Sequence, residues 1–263
     1  PYLLAMVETK VSLGEHETAL SLLLEGMKET DREPSLFMAA GTIYSHLGQY
    51  DQAMGMYQRI LDSSPEDRAV TEAMSFCLYQ AGRYSEAKDL FGKLIASSKT
   101  TPPWSYDLAM GDCCMNLNQY HEAIRCFERV SQQDGSNPKI WIRLAQASLG
   151  RKDYDRARTY VDRALALHEA DAEAWTAQGI IAMQEQDYPK AQEAFQAAVR
   201  ADEQSSLAYC WLGQSLEAQG NAEEARACYA RALERNPQDP LARKFLLSME
   251  GQEQSSSPRA EKF

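Results

Sequence analysis

Two dipeptides, His16-Glu17 and His121-Glu122, carry the residue pair with which a helical zinc peptidase opens its metal site. That chemistry needs a second imidazole four residues after the first, on the same helix face, and neither place supplies one. The other histidines, His46 and His168, are too distant in sequence to complete a helical pair. Cys113, Cys114 and Cys126 are the remaining candidates, for a thiol site or a weak metal site. Free cysteines also fill interiors as small hydrophobes, and that is the reading adopted for them. The chain holds no Gly-rich phosphate loop, no GxGxxG and no serine elbow. It is read as non-enzymatic, with no catalytic residue, no metal and no cofactor.

The 263 residues fit one or two domains, and a hydrophobic content of 44% is enough for a core. Good helix formers dominate. The net charge is −11. Residues 1–137 carry 11 basic against 19 acidic side chains, and residues 138–263 carry 16 against 19. An acidic chain repels phosphate backbones, so nucleic acid is a poor partner. The longest apolar runs are far too short for a transmembrane helix. The six cysteines (Cys77, Cys113, Cys114, Cys126, Cys210, Cys228) lie within helical patterns and show no CxxC pairing. That favours a reducing compartment and a cytoplasmic location, or a periplasmic one if a parent protein is exported. The first residue is Pro1, which reads as a fragment or processed product.

What would position any site is a repeat. Alanine recurs at Ala19, Ala53, Ala87, Ala123, Ala157, Ala191 and Ala225, in steps of 34 except for one of 36, where Pro102-Pro103 is inserted. Three residues before it stands Tyr50, Tyr84, Tyr120, Tyr154 or Tyr188, replaced by His16 and Ala222 at the two ends. Four residues after it stands Leu23, Tyr57, Phe91, Phe127, Val161, Phe195 or Tyr229. A spacing of four puts the small and the large residue on one helix face, where the first admits a neighbouring helix and the second fills the space beside it. Upstream of each phrase a second helical pattern carries Trp141-Leu144-Ala145, Trp175-Gly179 or Tyr209-Leu212-Gly213. Gly14, Gly48, Gly82 and Gly220 mark the breaks between helices, and Pro65 and Pro237 close their units.

These columns resemble the tetratricopeptide repeat over residues 1–239, with Trp/Tyr, Leu-Gly, Tyr, Ala, Phe/Tyr, Ala and Pro at family spacing. The resemblance implies an all-α fold, an α-solenoid wound as a right-handed superhelix of seven helix–turn–helix units. The units are placed at 1–33, 34–67, 68–101, 104–137, 138–171, 172–205 and 206–239. A capping helix is placed at 240–250, with Leu241, Phe245, Leu246 and Met249 on its apolar face, and a disordered tail at 251–263. The first half departs from the family. Thr71 and Asp107 replace a large apolar residue, and Gly26, Ile60, Leu94 and Val130 stand where Ala164, Ala198 and Ala232 follow the family's alanine.

In this family the first helix of each unit lines the concave face, where partners lie. The resemblance therefore implies a protein or peptide partner in a groove lined by Met38, Thr42, His46, Phe76, Tyr79, Asp112, Met115 and Asn116, then by Ile142, Arg143, Gln146, Ile180, Met183, Gln184, Trp211 and Gln214. Phe76, Tyr79, Met115, Ile142 and Met183 form its expected centre. The lining is largely uncharged, with Met and aromatic side chains suited to apolar or helical segments. Family members that hold chaperone tails use groove Lys, Arg and Asn. Leu4, Glu8, Ser35, Ala39 and Ala73 occupy the matching positions here, so that role is not expected. Tyr2, Leu3 and Met6 predict self-association through the N-terminal face. The reading is a non-catalytic interaction scaffold in a larger protein or assembly. The alternatives are a secretion-type chaperone, or the regulatory arm of an enzyme or polysaccharide-export system.

Overall fold

The computed structural model describes residues 2–29 and 33–256, with Glu29 and the last eight residues described in backbone only. Among the described residues there are fifteen α-helices and no strand. They divide into two compact units, the first ending at Gln133 and the second beginning at Asp134. The first unit holds α1 (Tyr2–Ser12), α2 (His16–Glu29), α3 (Pro34–His46), α4 (Tyr50–Ser63), α5 (Arg68–Gln80), α6 (Tyr84–Ala96), α7 (Trp104–Asn116) and α8 (Tyr120–Gln133). The second holds α9 (Pro138–Gly150), α10 (Tyr154–Leu167), α11 (Ala172–Gln184), α12 (Tyr188–Ala201), α13 (Ser206–Ala218), α14 (Ala222–Arg235) and α15 (Pro240–Ser256). In both units consecutive helices pack as antiparallel hairpins, and within each unit a first helix also touches the first helix that follows it there. The fold is an all-α solenoid.

Every hairpin turns the same way. In the turn after α3, the N–H of Gln49 reaches the carbonyl of Tyr44 at 2.8 Å and that of Gly48 reaches Ser45 at 3.0 Å. This is the Schellman pairing that satisfies the last carbonyls of a helix, and it needs one residue with positive φ. Gly14, Gly48, Gly82 and Gly220 supply it, but so do Asn118, Lys152 and Gln186. The turn is therefore set by the hydrogen bonds it closes, with glycine as the least strained way to make it.

The alanine column is wholly buried: Ala19, Ala53, Ala87, Ala123, Ala157, Ala191 and Ala225 are each 0% exposed. The large residue four places on is buried with it, and it lies over a small residue of the first helix. A Cβ added to Gly41, Gly111, Gly179 or Gly213 would stand 2.4–2.5 Å from the ring of Tyr57, Phe127, Phe195 or Tyr229 respectively. At the same register Ala145 goes with the smaller Val161, and Val7 with Leu23. Bulk added on one side is removed on the other, as a close-packed interior requires.

The C-terminal helix differs from its expectation in two respects. It continues to Ser256, because Gly251 interrupts a run of good helix formers without providing a stop. Its buried residue is Ala242 at 0% exposure, whereas Leu241 is 38% exposed. Phe245 and Leu246 do pack inward, with the Phe245 ring 5.2 Å from that of Tyr229. The side chain of Met249 and residues 257–263 of the expected tail lie outside the described residues. At the other end Tyr2 and Met6 are exposed, while Leu3 covers Gly26.

Candidate interaction surface

In the first unit the expected lining residues are spread among three kinds of place. Met38 and Thr42 lie half-buried on α3, with the Thr42 hydroxyl turned back to the Met38 carbonyl at 3.0 Å. His46 lies at the end of that helix, edge-on to His16 at 5.6 Å, in a cleft of about 540 Å³ that also includes Tyr50 and Gln80. Phe76 is half-buried against the core, 5.0 Å from the Phe91 ring and 6.4 Å from Tyr106. The Tyr79 hydroxyl donates to Asp112 at 3.2 Å, joining α5 to α7, and Asp112 is 7% exposed. The Asn116 amide donates to the Asp112 carbonyl, and Met115 is half-buried beside it. Phe76, Tyr79 and Asp112 thus tie successive hairpins together. Their spacing resembles a groove face because a first helix also packs against its next neighbour on part of that face.

The second unit gathers its residues more closely. Three successive first helices, α9, α11 and α13, line a cleft of about 450 Å³. Leu149, Ala177, Ile180 and Leu207 give it an apolar lining, and Gln146, Glu173, Thr176, Asp202 and Ser205 give it a polar one. Gln146 donates to the Glu173 carboxylate at 3.3 Å. Leu207 is 47% exposed, although it stands in the first turn of a helix beside a polar cap. That cap is Ser205, whose hydroxyl accepts the N–H of Ala208 at 3.2 Å. The carboxylates of Glu173 and Asp202 are the only charges on the lining, so the cleft is acidic.

Of the lining residues expected here, Gln146 and Ile180 do face this cleft. Ile142 does not: it is 3% exposed and belongs to the core with Ala164 and Ala174. Trp211 lies stacked on Phe195 at 6.1 Å. Gln184 accepts from the Tyr154 hydroxyl at 3.1 Å, while Arg143, Met183 and Gln214 are half-buried on their helices. Sequence reasoning missed Glu173, Thr176 and Leu207. Thr176 and Glu173 lie one and two turns before Ile180 on the same face, a spacing that could have found them. Leu207 was legible as an apolar side chain where the other hairpins place Ser35, Ala69, Ser105, Lys139 and Glu173.

Among the described residues no cluster of three or more His, Cys, Asp or Glu side chains could hold a metal ion, and no helix is long and apolar enough to cross a membrane. Family models described as tetratricopeptide repeat match residues 115–181 and 176–240, and one described as anaphase-promoting complex, cyclosome, subunit 3 matches 46–130. The BBSome complex member BBS4 of Bos taurus is 22% identical over 213 residues, 80% of this chain and 40% of that protein. Anaphase-promoting complex subunit 3 of Schizosaccharomyces pombe is 21% identical over 82% of this chain and 32% of its own length. The chain thus spans less than half of these two curated relatives. The crystal structure of a tetratricopeptide repeat protein from Parabacteroides merdae shares the fold, with a TM-score of 0.74 at 15% identity, covering 95% of this chain and 98% of that one. Helix hairpins of one size, a buried alanine column, one turn geometry and these matches agree, and the chain belongs to the tetratricopeptide-repeat family.

Proposed function

We propose that this chain is a protein–protein interaction scaffold whose second unit seats an extended segment of a partner on the face formed by α9, α11 and α13. The observation that carries this reading is the exposed Leu207 beside a cleft of mixed apolar and acidic lining, formed by three first helices. A partner suited to it inserts one apolar side chain among Leu149, Ala177, Ile180 and Leu207. It offers N–H or cationic donors to Glu173 and Asp202. The apolar anchor supplies affinity and the carboxylates set register and selectivity. Two relatives whose names place them in complexes, the BBSome and the anaphase-promoting complex, favour a subunit of an assembly over a chaperone for one client.

The test is site-specific photo-crosslinking in cells with the full chain. A photoreactive residue at position 207 is expected to capture partner chains, and Ile180→Asp is expected to abolish that capture while circular dichroism stays helical. Several captured subunits mean a scaffold, and one dominant client means a chaperone. Equal capture from position 193, on the opposite helix layer, or capture unaffected by Ile180→Asp, would remove the cleft from the interface.

A further inference from the structure

Two thiols of the first unit meet across one hairpin. Cys114, on α7, is 0% exposed, and its Sγ lies 3.7 Å from the carboxylate of Glu122 on α8. Cys126 stands one turn after Glu122 on that helix, on the same face, so both thiols lie on the side where α7 and α8 pack. From the other side, the Arg129 guanidinium reaches the Cys126 sulfur at 3.5 Å. Arg129 is fixed there by Asp107, 2% exposed, to which its Nε donates at 2.9 Å. Cys126, 2% exposed, also lines a cleft of about 700 Å³, shared with Lys88, Lys93, Arg125 and Arg129 and with the carboxylates of Asp89 and Glu122.

We propose that Cys126 is an oxidant-reactive thiol, with Cys114 as its resolving partner, and that hydrogen peroxide joins them in a disulfide between α7 and α8. The surroundings assign the two roles. The neighbouring Cys114 thiol and the charge of Arg129 hold the Cys126 thiol below the ordinary cysteine range, against its burial and the charge of Asp107. Cys114 keeps its proton, held up by the neighbouring Cys126, by burial and by Glu122. Burial pushes Cys113, helped by the Asp112 charge, and Cys210 up to about 12, which leaves them inert.

The chemistry balances with peroxide as the oxidant. The Cys126 thiolate attacks one peroxide oxygen: an S–O bond forms, the O–O bond breaks, and the departing hydroxide takes up the proton that Cys126 released. The sulfur loses two electrons and peroxide gains them. The Cys114 sulfur then attacks the sulfenic sulfur of Cys126. An S–S bond forms, the S–O bond breaks, and hydroxide leaves with the Cys114 proton as water. Two thiols and one peroxide give one disulfide and two waters. Peroxide is little larger than water, so the cleft can admit it to a sulfur that larger reagents reach slowly.

The test uses the full chain, reduced and then exposed to stoichiometric hydrogen peroxide, blocked with N-ethylmaleimide and mapped after trypsin. Cys126 falls in the peptide 126–129, and Cys113 with Cys114 in 100–125. The expected product is these two peptides joined. The link should survive Cys113→Ser. It should be lost in Cys114→Ser, which should instead accumulate a dimedone-reactive sulfenic acid at Cys126. Cys126 should oxidise at least about tenfold faster than Cys77 or Cys210, as a stabilised thiolate does. A wild-type map with no joined peptides, or oxidation of Cys126 no faster than of Cys77, overturns the proposal. Persistence of the link in Cys114→Ser would do the same by assigning it to Cys113. The wild-type map decides even if a variant misfolds.

Discussion

In the unit that begins at Asp134, a large ring of each hairpin sits early on the first helix, at Trp141, Trp175 and Tyr209. At a constant separation along the chain stands the buried alanine of the second helix, Ala164, Ala198 and Ala232, each 0% exposed. In the unit that ends at Gln133 the bulk has moved. Thr71 and Asp107 take the place of the rings, and Leu94 and Val130 take the place of the alanines, at 3% and 0% exposure. Leu3 pairs with Gly26 in the same register, and only Phe37 with Ile60 keeps both members large. The two columns share one volume, and the units divide it differently. Residues that look like departures from the family when read singly become conservative when read as pairs.

The units also start their helices differently. In the second, the side chains of Asn137, Asp153, Asp171, Asp187 and Ser205 each accept a backbone N–H of the helix they precede. In the first, Asp67 does so, while Glu33, Gln49, Arg83 and Pro103 do not. The second unit therefore caps more of its helices with side chains than the first does, Asn221 before α14 being its exception.

The largest expected effect tests the exchange of bulk. Leu94→Ala alone should cost about 2–5 kcal/mol through the cavity it leaves. Thr71→Trp alone should overpack the same space by roughly 1–3 kcal/mol. The double variant, which copies the Trp175 and Ala198 pairing, should cost clearly less than the sum. Additive losses in urea melts would mean that the two columns do not share a volume.

The next effect belongs to the first unit alone. Arg129→Met strips the partner from Asp107 and should cost roughly 3 kcal/mol, the low end for a buried pair because Arg129 itself is 42% exposed. Changing both residues, Asp107→Leu with Arg129→Met, should recover most of that loss. A double variant no more stable than Arg129→Met would show that the pair does more than satisfy itself.

The smallest effect separates the capping patterns. Asp187→Ala in the second unit should cost about 1 kcal/mol, and Gln49→Ala in the first close to none, since Gln49 makes no cap hydrogen bond. Equal shifts in thermal midpoint at the two sites would erase the distinction between the units.

Much of this was legible in the chain. The alanine column and the residue four places after it mark the buried face of each second helix, because a fixed spacing on a helix is a fixed direction in space. The chemistry-bearing residues were legible only in part. Cys113, Cys114 and Cys126 read as small buried hydrophobes, which suits Cys113. Nothing in sequence showed that Cys126 lies between a second thiol and an arginine held by a buried aspartate, since that needs α7 and α8 laid side by side. The lining residues were legible only in part for the same reason in reverse: Asp112 and Ile142 have the right helical direction yet are buried, while Phe76 and Tyr79 stay half-buried.

Sequence by itself determined the repeat, the breaks between its helices, and the columns that must be buried, because these follow from periodicity and from local backbone hydrogen bonding. Only the tertiary structure decided which exposed-looking face stays exposed, which small residue matches which large one, and which acid, base and thiol become neighbours. Those outcomes depend on distances between helices far apart in the chain. They are set by side-chain volume and by the pairing of buried polar groups, and neither quantity is a property of one position.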